Sequence, residues 1–267
     1  MPPAAGITPA ATPLHPSVHL TGHRPVPPRK VIPMRVEIWS DIACPWCYIG
    51  KARFEAGLAA FAHRADVEVV HRSFELDRDA PPATDVPILD MLAAKYGVSR
   101  DQAEAMEARV AEAAAGEGLD YRSDRIHGNT FDLHRLLHLA KAHGVQDALL
   151  TALYHANFAE ARQLGDPAVL TGIAVAAGLP ADEAARVLAD PDAYAEDVRT
   201  DERTAAELGA TGVPFFVIDR RYGISGAQPV DVFRQALERA HADSAVQVLA
   251  AGDADTCGDG GCAVPEA

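Results

Sequence analysis

Residues 39 to 50 read WSDIACPWCYIG, and the meaning of Cys44-Pro45-Trp46-Cys47 decides what surrounds it. Two cysteines separated by two residues serve redox chemistry, half of a metal site or an inert buried pair. Just upstream, MRVEIWS at 34 to 40 carries Val36 and Ile38 in alternation, which predicts a short buried strand ending at Ser40 or Asp41. Proline at 45 suits the first turn of a helix, where its missing N–H is not needed. Trp46, Ile49, Arg53 or Phe54, Gly57 or Leu58, and Phe61 then recur at spacings of three and four. That spacing predicts a helix to about His63 with one face on a sheet. VEVVHRSF at 67 to 74 predicts a second strand, parallel to the first because a helix joins them. The cysteine pair therefore falls at a strand-to-helix turn.

Beyond this opening, residues 85 to 209 have helical patterning broken at Gly97, Gly144 and around LGDP, GLP and DP, which predicts five to seven helices. VPFFVID at 213 to 219 and YGISG at 222 to 226 predict two strands joined through Arg220 and Arg221, followed by a helix from about Pro229 to Leu249. The order is β-α-β, a long helical stretch, then β-β-α. Two halves of one sheet thus flank an inserted helical domain at 85–195, the sheet domain being built from 34–84 and 196–250. Residues 1–33 are proline-rich without apolar periodicity and are expected to be disordered, with Met34 an alternative start; 251–267 read as a flexible tail.

The chain has 267 residues and a net charge of -14, which disfavours nucleic acid and anionic membrane as partners. No run approaches the roughly 18 apolar residues of a membrane span. The first 33 residues hold neither an apolar signal core nor a twin-arginine pair, which leads to the expectation of a cytoplasmic protein. There, four cysteines in two close pairs point to redox or metal chemistry rather than a structural disulfide framework.

A cysteine at the amino end of a helix faces unpartnered backbone N–H groups and the positive end of the macrodipole, which favours the thiolate that attacks disulfides. Cys44 is predicted to be that residue, with Trp46 a flat apolar surface beside its exposed sulfur. Cys47, one turn on, is the more buried thiol positioned to resolve a mixed disulfide. A four-cysteine zinc site would need Cys257 and Cys262 from the far end of the chain, at a spacing wide for zinc loops. Pro214, in ATGVPFF, opens a strand that would lie opposite the cysteine turn, where a cis bond from Val213 would present its backbone to a partner chain.

VEIWSDIACPWCYIGKARFE, HGNTFDLHRLLHLA, GVPFFVID and ISGAQP together resemble the DsbA-like branch of the thioredoxin superfamily. Within it they are similar to the FrnE-like disulfide oxidoreductases, neighbours of the 2-hydroxychromene-2-carboxylate isomerases and kappa-class glutathione transferases. The resemblance covers about residues 34 to 245. It implies an α/β, thioredoxin-like fold with a large inserted all-helical domain, Cys44 as nucleophile, Cys47 as resolving thiol and Pro214 as the cis-proline. It also implies a groove over the site that Trp46, Val213 and His134 would line. The isomerase-like relatives carry a serine where Cys44 stands. Two thiols here favour dithiol exchange with protein or small-molecule thiols and disulfides over glutathione-dependent isomerisation. Trp46 stands where strongly oxidising secreted members carry histidine, so oxidase, reductase and isomerase directions all stay open. No tightly bound cofactor is expected; glutathione or another low-molecular-weight thiol is the expected co-substrate, and the protein a monomer or homodimer.

CGDGGC in the tail is loose enough to form a disulfide. From Ala250 the extended chain reaches up to about 25 Å, so Cys257 and Cys262 are candidates for an auxiliary pair exchanging electrons with Cys44 and Cys47. A second pair of this spacing also resembles some FrnE-like proteins. His127, His134, His138 and His143 lack a third ligand at metal spacing and read as packing or surface histidines, with no metal. Glu37 and Asp41 precede the redox turn; a buried carboxylate there could take the proton of Cys47, but the residue pattern favours Asp41 as a helix cap.

Overall fold

A computed structural model describes residues 33–81, 85–126 and 128–244. Strand β1 (Met34–Ser40) is the second of four in a sheet of order β2-β1-β3-β4, with β2 (Val67–Ser73), β3 (Phe215–Ile218) and β4 (Tyr222–Ser225). β1 runs parallel to β2 from Met34 opposite Val67 to Ser40 opposite Ser73, and antiparallel to β3, with Trp39 opposite Phe215. Every residue of β1 except Arg35 is buried, as a strand covered on both faces requires. Because successive side chains alternate, Val36 and Ile38 enter a core with Phe54, Phe216 and Phe233. Trp39 faces the other way, packs with Ala205 and Phe215, and donates its indole N–H to the Asp201 carbonyl at 2.8 Å. Between Asp219 and Arg220, both at positive φ, the β3–β4 hairpin turns one residue earlier than the sequence predicts.

Helix α1 (Pro45–Ala60) and α9 (Val230–Ser244) cover the first face of the sheet. α1 ends before His63, closed by the Phe61 N–H on Leu58, and a single 3-10 turn (Arg64–Asp66) leads to β2. Its buried stripe runs through Cys47, Gly50, Phe54 and Gly57, whereas Trp46 is 42% exposed. The expected apolar face is thus corrected at Trp46, and Gly50, which carries no hydrophobic signal, joins the expected Gly57 in letting the helix approach. A Cβ at Gly57 would stand 2.9 Å from Phe233 Cβ, and one at Gly50 would stand 3.0 Å from Pro214 Cγ.

Between β2 and β3 the chain forms α2 (Ile88–Tyr96), α3 (Arg100–Gly116), α4 (Phe131–Ala142), α5 (Gln146–Tyr154), α6 (Pro167–Ala176), α7 (Ala181–Ala189) and α8 (Ala195–Glu207). A π-helical turn (His155–Ala159) extends α5. A second core fills this region with Leu136, Leu150, Leu153, Phe158 and Ile173, and it takes in Ile42, Cys44 and Cys47. The cysteine turn is thereby wedged between the sheet and the helices. Ion pairs on the buried Glu37 link three parts of the sheet, with Arg72 of β2 at 2.6 Å and Arg220 of the β3–β4 turn at 2.8 Å, and Arg72 also reaches Asp201 of α8 at 2.9 Å.

Candidate active site

The turn carrying the cysteines is held by its own polar groups. Asp41 Oδ1 accepts from the Ala43 N–H at 3.1 Å and Oδ2 from the Leu76 N–H at 2.7 Å, while Asn157 donates to the Ile42 carbonyl at 2.9 Å. Asp41 is 1% exposed. It is neither solvent-facing nor a helix cap; Cys44 itself occupies the N-cap position of α1, with Pro45 following. This corrects the reading of Asp41, whose burial comes from a bond to a segment 35 residues away. Glu37 is likewise buried, between its two arginines.

Both thiols of the motif are free. Cys44 Sγ approaches the carbonyl oxygen of Val213 at 3.6 Å, and the Val213–Pro214 peptide bond is cis. Cys44 is 5% exposed rather than the open sulfur expected, because it lies at the wall of a cleft of about 310 Å³. Cys44, Trp46, Leu76, Met91, Met106 and Val213 line this cleft. Trp46 and Val213 thus line the same cleft as Cys44. His134 does not: it is 1% exposed on α4, outside the cleft lining, with Nε2 3.5 Å from Asp41 Oδ1.

Cys47 is 2% exposed. Burial pushes its thiol well above the ordinary range, the adjoining Cys44 thiol adds to this, and the Asp41 backbone N–H opposes it. The motif therefore holds one cysteine at the cleft wall and one behind it, outside the cleft lining. For Asp41, burial acts upward, but His134 and the Leu76 and Ala43 amides outweigh it and hold the carboxyl below its usual range. Tyr154 lies beneath the motif with a buried hydroxyl that has no hydrogen-bond partner among the described residues, and burial pushes its phenol well above the usual range. Neither Tyr154 nor Met91 and Met106 stands out in the sequence, since each reads as ordinary helix packing.

His138 is also buried, 3.1 Å from Ser73 Oγ and 3.2 Å from Asp201 Oδ2, and His143 pairs with Glu183 at 3.0 Å. No cluster of three metal-binding side chains occurs among the described residues, nor does a helix long and apolar enough to cross a membrane. His127, Cys257 and Cys262 lie outside the described residues.

A four-stranded mixed sheet with a Cys-X-X-Cys at a strand-to-helix turn and a cis proline opposite defines a thioredoxin-like protein. The chain belongs to the DSBA-like thioredoxin domain family, whose model matches residues 35–238. It resembles the crystal structure of a "probable DsbA oxidoreductase" from Streptomyces coelicolor, with 61% identity and a TM-score of 0.77 over 87% of this chain and 100% of that one. The cytosolic disulfide reductase DsbM from Pseudomonas aeruginosa, solved with glutathione, shares the fold at 17% identity and a TM-score of 0.55, covering 78% of this chain and 99% of that one. The uncharacterized protein YwbO of Bacillus subtilis (strain 168) is 29% identical over 76% of this chain and 96% of its own length.

Proposed function

We propose that the protein is a thiol–disulfide oxidoreductase of FrnE-like type, working through Cys44, Cys47 and Pro214 at its CPWC turn. The carrying observation is the asymmetry of the two sulfurs: Cys44 lines the cleft at the amino end of α1, and Cys47 is buried behind it, outside the cleft lining. In the reductive direction the Cys44 thiolate attacks a substrate disulfide, a Cys44–substrate bond forms and the other substrate sulfur leaves as thiolate. Cys47 then loses its proton and attacks Cys44, the intramolecular disulfide forms, and the second substrate sulfur departs with its electron pair. The oxidative direction runs the same steps backwards.

The cleft favours an apolar group next to the exchanging sulfur, since Leu76, Met91, Met106 and Trp46 line it. Protein and small-molecule thiols both meet that requirement. The cycle needs no resident cofactor; glutathione or a similar small thiol serves as co-substrate, as the presence of glutathione with DsbM supports. A cytoplasmic setting, without nucleic acid or membrane partners, fits a reducing thiol pool. Cys257 and Cys262 act as an auxiliary pair that passes electrons to or from Cys44 and Cys47. Insulin reduction and oxidative refolding test the reading: Cys44→Ser should abolish whichever activity is present, and Cys257→Ser with Cys262→Ser should slow turnover without blocking the first exchange. Activity that survives Cys47→Ser and depends on glutathione would instead indicate isomerase chemistry.

A further inference from the structure

Behind the cleft lies a buried polar cluster that the exchange steps above leave unused. His134 sits on α4 with neither ring nitrogen in a well-formed hydrogen bond, its nearest acceptor being Asp41 Oδ1 at 3.5 Å from Nε2. Glu75, just after β2, bears on the ring electrostatically from another side and has one oxygen, Oε1, likewise unpartnered. Its other oxygen pairs with Arg199 of α8, which also binds Glu202 at 2.8 Å. The Asp41 carbonyl accepts from the Cys44 N–H at 3.1 Å, and Asp41 bears electrostatically on Cys47 of α1 and Tyr154 of α5. Buried polar atoms are nearly always partnered, and exceptions mark strain or function.

We propose that His134 is a positioning residue for the resolving step: paired with Asp41, it takes up the proton that Cys47 must lose. This rests on the reading of Cys47 as the resolving thiol. Before the step Cys47 is a thiol, and the pair is a carboxylate beside a neutral imidazole. The proton leaves Cys47 and comes to rest on the imidazole, so the pair becomes a carboxylate beside an imidazolium. The Cys47 thiolate attacks Cys44, the Cys44–Cys47 bond forms, the Cys44–substrate bond breaks, and the substrate sulfur leaves as thiolate. That thiolate or solvent later collects the proton from the imidazole. The substrate disulfide is the oxidant, and no other is needed. Asp41 alone is a poor store, because its two oxygens already accept from the Ala43 and Leu76 amides, and an imidazole is the stronger base of the two groups.

The test is rapid mixing of the reduced full chain, carrying Cys257→Ser and Cys262→Ser, with dithiobis(nitrobenzoate). The first nitrothiobenzoate released reports attack by Cys44, and the second reports resolution by Cys47. With His134 present, the second rate is expected to depend less steeply on pH than without it. His134→Gln keeps a donor for Asp41 but stores no proton. It should leave the first rate within about twofold and slow the second about tenfold or more near neutral pH, with a rate that keeps climbing as pH rises. Loss of the same factor at every pH, or equal loss in both phases, overturns the proposal. Absence of a second release with His134 intact overturns the dithiol reading itself, and the proposal with it. If His134→Gln does not fold, Cys44→Ser provides the check: the His134 ring resonances should shift as the Cys47 thiol is titrated, and an unmoved ring overturns the proposal.

Discussion

Cys44 Sγ lies 3.6 Å from the carbonyl oxygen of Val213, a residue 169 positions further along the chain. The contact depends on how closely α1 can approach the start of β3, and Gly50 sets that distance. A Cβ at Gly50 would stand 3.0 Å from Pro214 Cγ and 3.4 Å from Ala227 Cβ. Gly50→Ala is expected to displace the Val213 carbonyl and slow the reaction of Cys44 with a model disulfide by about threefold to tenfold. Stability should change little, since alanine's helix preference offsets the crowding.

Gly57 is the matching control. Its Cβ would meet Phe233 Cβ at 2.9 Å and the Val230 carbonyl at 3.0 Å, where α1 packs on α9 away from the thiols. Gly57→Ala should lower unfolding stability by about 1–3 kcal/mol while the Cys44 rate in the folded protein stays unchanged. Denaturant titration and thiol kinetics separate the two variants, and identical behaviour would refute the assignment.

The sheet and its helical interruption are readable from residue order because each opening element repeats its own period: Val36 and Ile38 alternate, and turn residues bracket β3 and β4. Trp46 was misplaced on the buried face because apolar spacing counts side chains, whereas close helix packing at Gly50 and Gly57 depends on their absence. The burial of Asp41 and His134 has no local signature either. It arises where the turn after β1, the segment after β2 and α4 converge, and only the fold brings those three together. The cysteines and Pro214 were legible since their chemistry is tied to residue type, while the cleft wall at Met91 and Met106 was not.

Stability should fall on acidification. In Glu37, Asp41 and Asp201 burial acts upward, but arginine, histidine and backbone hydrogen bonds outweigh it and lower the carboxyls in the folded state. Such groups contribute stability that is present above their unfolded values, about 4, and is lost as pH drops through the folded ones. Glu75 has the opposite sign: burial outweighs Arg199 and raises it, so its contribution is lost as pH rises. Lowered carboxylates, which also include Asp124, Asp147 and Asp243, outnumber the one raised and give a net loss of stability from about pH 5 downward. Glu37→Gln should cost about 1.5–3 kcal/mol at neutral pH by weakening bonds to Arg72 and Arg220, and should flatten the acid limb. Denaturation midpoints measured across that range check both statements.

Tyr154→Phe removes a buried hydroxyl that lacks a hydrogen-bond partner among the described residues. The ring contacts with Tyr48 and Phe158, at centroid distances of 5.7 and 6.1 Å, should persist. The variant is expected to be as stable as the parent or up to about 1 kcal/mol more stable. A loss of more than about 1 kcal/mol in thermal or denaturant unfolding would mean that the hydroxyl is satisfied in solution.

The division of labour between the two sulfurs is tested most directly by trapping. Full-length Cys47→Ala, reduced and exposed to a cell extract or to oxidised glutathione, should accumulate a mixed disulfide that peptide mass spectrometry maps to Cys44 and that a reductant releases. The same treatment of the unsubstituted chain should leave a Cys44–Cys47 disulfide and no lasting adduct. If Cys47→Ala gathers no adduct at Cys44 while disulfide exchange continues at the parent rate, Cys44 is not the nucleophile and the account fails.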